Sequence, residues 1–488
     1  MHRVTSERPY PLLDTAATRR LEQAAMASLP PHTLMQRAGL AVARLALAVA
    51  PHARSVWVAC GPGNNGGDGL EAALHLQQWG KAPVVTWLGD PARAPADARA
   101  SLQRAQAAGV RFSETPPVQP ELCIDALLGL GATRPPEGRM ADWLARMNTG
   151  AAPVLCVDLP SGLSPDTGAY AIHLIADNDH PARTSARFTL SLLALKPGLF
   201  TAGGRDAAGE VWLDDLGVAP QDGAACAWLS GASAARQRPH ASHKGSYGDV
   251  AVLGGAPGMA GAALLAGSAS LHGGAGRVFV ALLDGGSLGV DPGRPELMLR
   301  APDALDLRAM TVVCGCGGGK AVRAVLPRVL SLAARAVLDA DALNAIAADP
   351  QLQMLLQART RRGLPTVLTP HPLEAARLLG LSTAQVQADR LAAARRLAGQ
   401  HGGVVVLKGS GTVIAAPGRL PSINPTGNAR LATAGTGDVL AGLLGARLAS
   451  GLPAFEAACE AVHDHGLAAD RWPVGQALTA THLAQKIS

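Results

Sequence analysis

The chain has 488 residues, 48% hydrophobic and 16% charged, and 43 Lys+Arg against 37 Asp+Glu give a net charge of +6. That length suggests two to four domains with large apolar cores, and the composition excludes a disordered or fibrous chain. The basic residues form no block, which speaks against nucleic-acid and membrane surfaces and leaves anionic small molecules open.

Seven cysteines (Cys60, Cys123, Cys156, Cys226, Cys314, Cys316 and Cys459) are scattered, odd in number and without a CxxC pair. A reduced, cytoplasmic compartment fits that usage. The opening MHRVTSERPYPLLDTAATRR has no apolar core, and no apolar run reaches about 18 residues, so neither a signal peptide nor a membrane span is expected.

In chain order, SVWVAC (55–60) reads as a buried strand, followed by a glycine loop and the helix DGLEAALHLQQWG. APVVTWLG (82–89) is a second strand, and ADARASLQRAQAAG a helix that Gly109 ends. LCIDALL (122–128), PVLCVDLP (153–160) and FTLSLLAL (188–195) are further strands. Strand–helix alternation predicts a parallel, doubly wound sheet. The small, polar stretch 217–240 reads as a linker. Strands are then expected at 249–255, 277–283, 311–315, 336–340, 365–370, 404–409 and 412–416, with helices between them. Two α/β domains follow, 1–223 and 224–488.

The loop Gly61-Pro62-Gly63-Asn64-Asn65-Gly66-Gly67-Asp68-Gly69 joins a strand to a helix. Glycines there let backbone N–H groups approach a phosphate; the plainer reading is a tight turn. Asp125 and Asp158 end apolar strands, where carboxylates face the ligand crevice of a parallel sheet. They suit proton transfer or cation binding, with helix capping the alternative for Asp125. Lys196 either neutralises a substrate anion or is a solvated surface lysine.

GPGNNGGDG, IDALLGLG, DLPSG and LKPGL, in that order, resemble the YjeF N-terminal family of NAD(P)H-hydrate epimerases over most of 10–217. The resemblance implies a Rossmann-like domain that interconverts the R and S forms of a hydrated nicotinamide ring. It implies that Asn64, Asn65, Gly66, Gly67 and Asp68 line the hydrated dinucleotide. Gly129, Leu130, Gly131, Ala132, Thr133, Arg134 and Pro135 would cradle phosphate, and Asn65, Asp125 and Ser161 would hold K+. Asp158 would contact the nicotinamide end and becomes the first candidate for proton transfer, and Lys196 is a further catalytic candidate. Arg187 stands where that family usually has an acid, after the irregular stretch AYAIHLIADNDHPARTS.

In the second half, Thr433-Ala434-Gly435-Thr436-Gly437-Asp438 opens the apolar helix VLAGLLGARLA. Aligned N–H groups at such a start stabilise a phosphoryl group. Asp438 could take the proton of an attacking hydroxyl, or simply complement the helix dipole. Lys408-Gly409-Ser410-Gly411-Thr412 permits close approach of nucleotide phosphates, or is only a hairpin turn. A P-loop is excluded, because the GGGK at 317–320 has Cys314 in place of the first glycine. His463-Asp464-His465 points its rings apart on a helix, so packing is expected there rather than a metal.

HKGSYGDVAVLGGAPGMAGAALLAG (243–267), Pro295-Glu296, DADALN (339–344), TPHPLEAARLL (369–379), VVVLKGSGT (404–412), NPTGN (424–428) and AGTGDVLAG (434–442) resemble the ribokinase-like fold. Within it they resemble the YjeF C-terminal family of ADP/ATP-dependent NAD(P)H-hydrate dehydratases, over about 230–488. The resemblance implies that Ala262, Gly317, His371 and Asp438 contact the hydrate. Lys408, Gly409, Ser410, Gly411, Thr412 and Gly437 would hold the nucleotide, ADP with Mg2+. The family's GPGLG loop is here Gly315-Cys316-Gly317-Gly318-Gly319, and losing the proline should loosen it.

Together the two halves imply metabolite repair: epimerisation of hydrated NAD(P)H, then ADP-driven dehydration of the S form to NAD(P)H, AMP and phosphate. The expected partners are NADHX, NADPHX and ADP, with no nucleic acid or membrane, in a homo-oligomer. A kinase of the same fold acting on a sugar or hydroxymethylpyrimidine shares the GTGD element. A nucleotide-binding scaffold with a silent first domain is the other alternative, opposed by the intact Asp125, Asp158 and Lys196.

Overall fold

The computed structural model describes residues 1–131, 135–170, 185–219, 223–232 and 238–487. They form two compact units, Met1–Thr5 with Tyr10–Ala227 and Ser6–Pro9 with Trp228–Ser488.

The first unit carries one eight-stranded sheet. Its order is His2–Arg3, Glu210–Asp214, Arg187–Leu192, Val154–Val157, Leu122–Ala126, Ser55–Cys60, Ala82–Trp87 and Arg111–Phe112. Only His2–Arg3 runs antiparallel to its neighbour. Ser55–Cys60, Leu122–Ala126 and Val154–Val157 are almost wholly buried, as strands covered by helices on both faces must be. The order reverses between Ser55–Cys60 and Leu122–Ala126, which opens a crevice at their carboxyl ends.

Three local expectations change. The helix after the glycine loop begins at Asn64, four residues before Asp68, because Gly63 already caps it in an extended conformation. The strand after 187 stops at Leu192, where Leu193 turns the chain at φ +64. Glu210–Asp214 is a strand that no apolar run announces, since most of it is only half-buried.

The second unit repeats the reversal. Its sheet runs Met298–Leu299, Arg277–Leu282, Asp249–Gly254, Thr311–Cys314, Arg335–Leu338, Thr366–Leu368 and Val404–Leu407, all parallel. Val413–Ala415 and Ser422–Ile423 follow as antiparallel neighbours. Trp228 and Leu229 pair with Ser422 and Ile423, so the stretch expected to be a linker contributes a strand. Helices Ala260–His272, Thr436–Ala449 and Ala454–Asp470 pack Ala, Val and Leu side chains into one apolar core with the sheet.

Among the described residues no helix is long and apolar enough to cross a membrane. The histidines at 463 and 465 do packing work on the helix Ala454–Asp470. His463 Nε2 lies 3.2 Å from the Ser6 carbonyl and His465 Nε2 2.9 Å from that of Thr436. Burial pushes His465 down to about 4, so its ring stays neutral.

Candidate functional site

A cleft of about 460 Å³ opens at the switch point of the first unit. Asn64, Asn65, Asp68, Gly129, Leu130, Gly131 and Asp158 line it, with apolar walls from Met26, Leu34, Met35 and Leu193. Because Asn64–Asp68 already lie in a helix, its rotation separates them. Asn64, Asn65 and Asp68 face the cleft, whereas a Cβ on Gly66 would meet the Gly61 carbonyl at 2.0 Å and one on Gly67 would meet Met35. Gly66 and Gly67 therefore serve the packing of the turn. Gly61 is forced likewise, since a Cβ there would lie 1.8 Å from the Leu127 oxygen. Pro135 is exposed and off the cleft wall, and Ala132, Thr133 and Arg134 lie outside the described residues, as does most of the irregular stretch before Arg187.

Asp158 follows the strand Val154–Val157 at φ +65, a strained setting for a residue with a side chain. Its Oδ1 accepts from the Leu192 N–H at 3.0 Å and from Lys196 Nζ. Lys196 is fully buried and also donates to the Leu192 carbonyl at 2.8 Å. The solvated-lysine alternative is thus overturned: Lys196 is buried against Asp158.

Asp125 is fully buried beneath the cleft and caps no helix. Its Oδ1 accepts from Ser161 Oγ at 2.6 Å and its Oδ2 from the Ser161 N–H at 3.0 Å. Burial raises its pKa despite those bonds. The place of a Cβ on Gly129 lies 3.1 Å from Asn65 Oδ1, so the two loops touch, and Asn65 Nδ2 is buried without a partner. The Asp125 carboxylate, the Ser161 hydroxyl and the Asn65 amide oxygen are the hard oxygen atoms of the kind K+ takes, whereas the unpartnered Asn65 Nδ2 is a donor and no ligand. Arg187 is spent elsewhere, donating to the Ala207 carbonyl at 3.0 Å and Asn148 Oδ1 at 2.7 Å.

Sequence reasoning missed Glu22 and Arg19, on the helix Thr15–Ser28. Arg19 reaches the Leu130 carbonyl at 3.2 Å. Burial, then the Asp158 charge, raise both Glu22 and Asp68, the latter well above the carboxylate range. The Asp14 cap of that helix is legible, but nothing in its charged face tells that it meets the sheet's crevice.

In the second unit Asp438 sits in the first turn of Thr436–Ala449, after Gly435 at φ +88. Asp438, Asp339 and Cys316 bring ligand atoms within 4.8 Å of one another. Asp339 Oδ1 binds Lys408 Nζ at 2.7 Å and the Thr369 hydroxyl at 2.7 Å. Burial, then the Asp339 charge, push Asp438 up to about 6. Burial acts to lower Lys408, but Asp339 and Glu374 outweigh it and leave its pKa raised. A Cβ on Gly437 would lie 3.6 Å from Lys408 Nζ, so the two predicted nucleotide elements do meet.

Lys408–Thr412 is also the hairpin turn between Val404–Leu407 and Val413–Ala415. Gly409 and Ser410 are exposed, Thr412 donates to the Gly409 carbonyl at 3.1 Å, and Gly411 sits at φ +61. Arg390 braces the turn from behind through the Leu407 and Lys408 carbonyls, both at 3.1 Å. Gly317 and Ala262 lie together, since a Cβ on Gly317 would fall 2.8 Å from that of Ala262. The loop that lost its proline does not hang loose. The Gly255 N–H donates to the Cys316 carbonyl, Ala256 to Gly317, and Gly319 to Asp341.

His371 caps the helix Pro372–Leu379. Its Nδ1 accepts from the Leu373 N–H at 3.1 Å and its Nε2 stands 3.2 Å from Glu374 Oε1. Both ring nitrogens are engaged, which leaves the exposed ring itself for any ligand. Burial, then Lys408, lower its pKa, while burial pushes Glu374 up to about 7. Asp339 and Glu374 were missed, although Asp339 ends a strand as Asp125 and Asp158 do.

The cluster of Cys316, Asp339 and Asp438 does not fit Mg2+. Burial holds the thiol protonated, and Asp339 already carries an ammonium.

Residues 250–488 match the family described as NAD(P)H-hydrate dehydratase, and 31–198 the one described as YjeF-related protein N-terminus. The bifunctional NAD(P)H-hydrate repair enzyme of Escherichia coli is 38% identical over 474 residues, 92% of this chain and 87% of that protein. The ADP-dependent (S)-NAD(P)H-hydrate dehydratase of Neisseria meningitidis serogroup B is 45% identical over 260 residues, 52% of this chain and 86% of that one. A solved structure, the Bacillus subtilis ADP/ATP-dependent NAD(P)H-hydrate dehydratase co-crystallised with ATP/Mg2+, overlays with TM-score 0.44 at 30% identity, covering 51% of this chain and 91% of that one. The chain belongs to the family of bifunctional NAD(P)H-hydrate repair enzymes.

Proposed function

We propose that the unit ending near residue 223 exchanges the R and S forms of hydrated NADH and NADPH, and that the unit from 224 dehydrates the S form with ADP. The observation that supports it most is the pair of sites on one chain, each with an aspartate at a glycine-rich switch point. The same reading makes it a cytoplasmic homo-oligomer.

In the first cleft, inverting the hydroxyl-bearing carbon needs a base and an acid. Asp158, anchored through Oδ1, takes the hydroxyl proton as the ring C–N bond of that carbon breaks, the C–O becoming a carbonyl and the electron pair going to nitrogen. The nitrogen takes a proton from Asp68, whose pKa burial raises well above its ordinary value, with Glu22, also raised, beside it. Closure on the other face of the carbonyl reverses both proton transfers and inverts the carbon. Asn65, Asp125 and Ser161 would hold K+, which when bound supplies positive charge beside the dinucleotide. Lys196 holds Asp158 in place.

In the second site Asp438 takes the proton of the ring hydroxyl as that oxygen attacks the β-phosphorus of ADP. The new O–P bond forms as the bond to AMP breaks. Phosphate then leaves the ring carbon with the C–O electron pair, and loss of the neighbouring ring proton restores the double bond of NAD(P)H. N–H groups at Gly435–Gly437 face the transferring charge, and Lys408 and the Gly409–Thr412 turn hold the nucleotide. Mg2+ travels with the nucleotide phosphates, and no step is assigned to it on this protein's side chains.

The test is recovery of the reduced-nicotinamide absorbance from mixed R and S hydrates, with ADP and then with ATP. Full recovery with ADP is expected. Asp158→Asn should consume only the S epimer, and Asp438→Ala should recover nothing. Turnover of ADP or ATP on a sugar or hydroxymethylpyrimidine, with no hydrate repaired, would defeat the reading.

A further inference from the structure

Beside the first cleft lies a smaller cavity of about 240 Å³. The two share Met26, Leu34 and Asp97 as wall residues, so the cavity is an annex of the cleft. Leu29 and Pro30 extend its apolar lining, and its ionisable groups are His32 and Asp97. His32 Nδ1 lies 2.5 Å from Asp97 Oδ1. A carboxylate only accepts, so the ring N–H donates. Among the described residues no donor reaches the other oxygen, Asp97 Oδ2.

His32 holds a backbone position that side chains avoid. It stands at φ +64 just before the helix Thr33–Val49, and its side chain caps no N–H of that helix. Glycine would suit the turn better, so local structure gains nothing from a histidine there. The ring is turned instead to Asp97, in the first turn of the helix Ala96–Ala107. Strain of this kind points to a site.

The order of the sheet says which part of a ligand reaches the pair. Asp158 follows Val154–Val157, Gly129 and Gly131 follow Leu122–Ala126, and Asn64 and Asn65 follow Ser55–Cys60. Asp97 opens the helix after the next strand, Ala82–Trp87. Neighbouring strands lie about 4.8 Å apart, so three steps span about 14 Å. A dinucleotide laid along the crevice has that reach. With its hydrated ring at Asp158 and its phosphates at the glycine loops, its second nucleoside arrives at the annex.

We propose that the annex binds the adenosine end of the hydrated dinucleotide, its apolar walls covering the base and Asp97 accepting from the ribose hydroxyls. The inference rests on the first unit exchanging the epimers with the ring at Asp158. His32 is a positioning residue: it occupies Oδ1 of Asp97 and leaves Oδ2 for the sugar.

The experiment follows S-to-R exchange by the full-length chain without ADP, which leaves the second unit idle. The substrates are the hydrate of NADH and that of reduced nicotinamide mononucleotide, which has the same ring and no adenosine. In the wild type kcat/KM should be about 10–100-fold lower for the mononucleotide hydrate. Asp97→Asn should narrow that ratio about 3–10-fold by weakening the NADH hydrate alone. Burial and Asp158 raise Glu22 and Asp68, and Asp97 adds to both, but that influence acts on the two hydrates alike and cancels in the ratio. His32→Gly should narrow the ratio by about 3-fold and melt no lower than the wild type, because glycine relieves the backbone. A pair that served only the fold would weaken both hydrates equally in both variants, and equal losses overturn the inference. So does a wild type with the same kcat/KM for the two hydrates. Asp158→Asn separates the failures. If it exchanges epimers at the wild-type rate, the reading of the first unit falls and the inference with it; if it is inactive while the ratios stay put, only the annex is wrong.

Discussion

Each unit sets an aspartate–lysine pair at the carboxyl ends of its strands, and the two units use the pair differently. In the first, Lys196 lies on Asp158, the same carboxylate that lines the cleft. In the second, Lys408 lies on Asp339, and Asp438, the proposed base, arrives separately on the start of Thr436–Ala449. Asp158 is thereby fixed in place by a buried cation and a strained backbone. Among the described residues Asp438 makes no ion pair, and burial and Asp339 outweigh Lys408 and leave its pKa raised to about 6. One arrangement favours rigid placement, and the other favours basicity.

The largest effect that would break this comparison comes from removing each lysine. Lys196→Met leaves Asp158 buried against no cation, which costs about 3–5 kcal/mol of stability. Lys408→Met should cost less, about 1–2 kcal/mol, because Asp339 keeps the Thr369 hydroxyl. It should lower dehydratase turnover by about 100–1000-fold through the lost phosphate contact. Denaturant midpoints and hydrate turnover measure both. Equal stability losses would show that the two pairs do the same job. The double variant Lys196→Met with Asp158→Asn should regain most of the stability and none of the epimer exchange.

Next come the glycines behind each site. Gly61→Ala drives a Cβ against the Leu127 backbone and should destabilise the first unit by about 3 kcal/mol. Gly317→Ala meets a neighbouring methyl and an unfavourable φ of +57, and about 2 kcal/mol is expected. Thermal unfolding of the two variants ranks them, and a Gly61→Ala protein as stable as the wild type would remove the packing argument for that turn.

The sequence made the alternation of strands and helices legible because parallel strands covered on both faces must be continuous apolar runs, as in SVWVAC and VVVL. It hid Glu210–Asp214, which is half solvated, and Ala227–Leu229, which sits in a stretch of small residues. Strand-end aspartates were readable as candidates, yet their partners were not. That Lys196 is buried under Asp158, or that Lys408 takes Asp339, depends on side chains that follow different strands, 38 and 69 residues apart in the chain. Gly66 and Gly67 belong to a ligand motif by spelling, but the helix that begins at Asn64 turns them inward. Glu22 entered the first cleft from a helix whose position only tertiary packing decides.

The smallest effect concerns the stability that Asp438 withholds. Its ordinary value is 3.8, and burial raises it to about 6, so the folded protein binds this proton more tightly than the unfolded chain does. Stability therefore falls as the pH rises through roughly 4 to 6, and above 6 the fold carries the full penalty of an ionised, half-buried carboxylate. Solvent reaches part of the site, so the penalty is about 1–2 kcal/mol rather than the full value of the shift. Asp438→Asn keeps the shape but carries no charge. At pH 8 it should melt about 2–6 °C above the wild type, and below pH 4 the two should coincide. Dehydration should be lost at every pH. A variant that melts at or below the wild-type temperature at pH 8 would mean that Asp438 is well compensated in the fold. The contrast with Asp158, whose carboxylate has its own lysine, would then disappear.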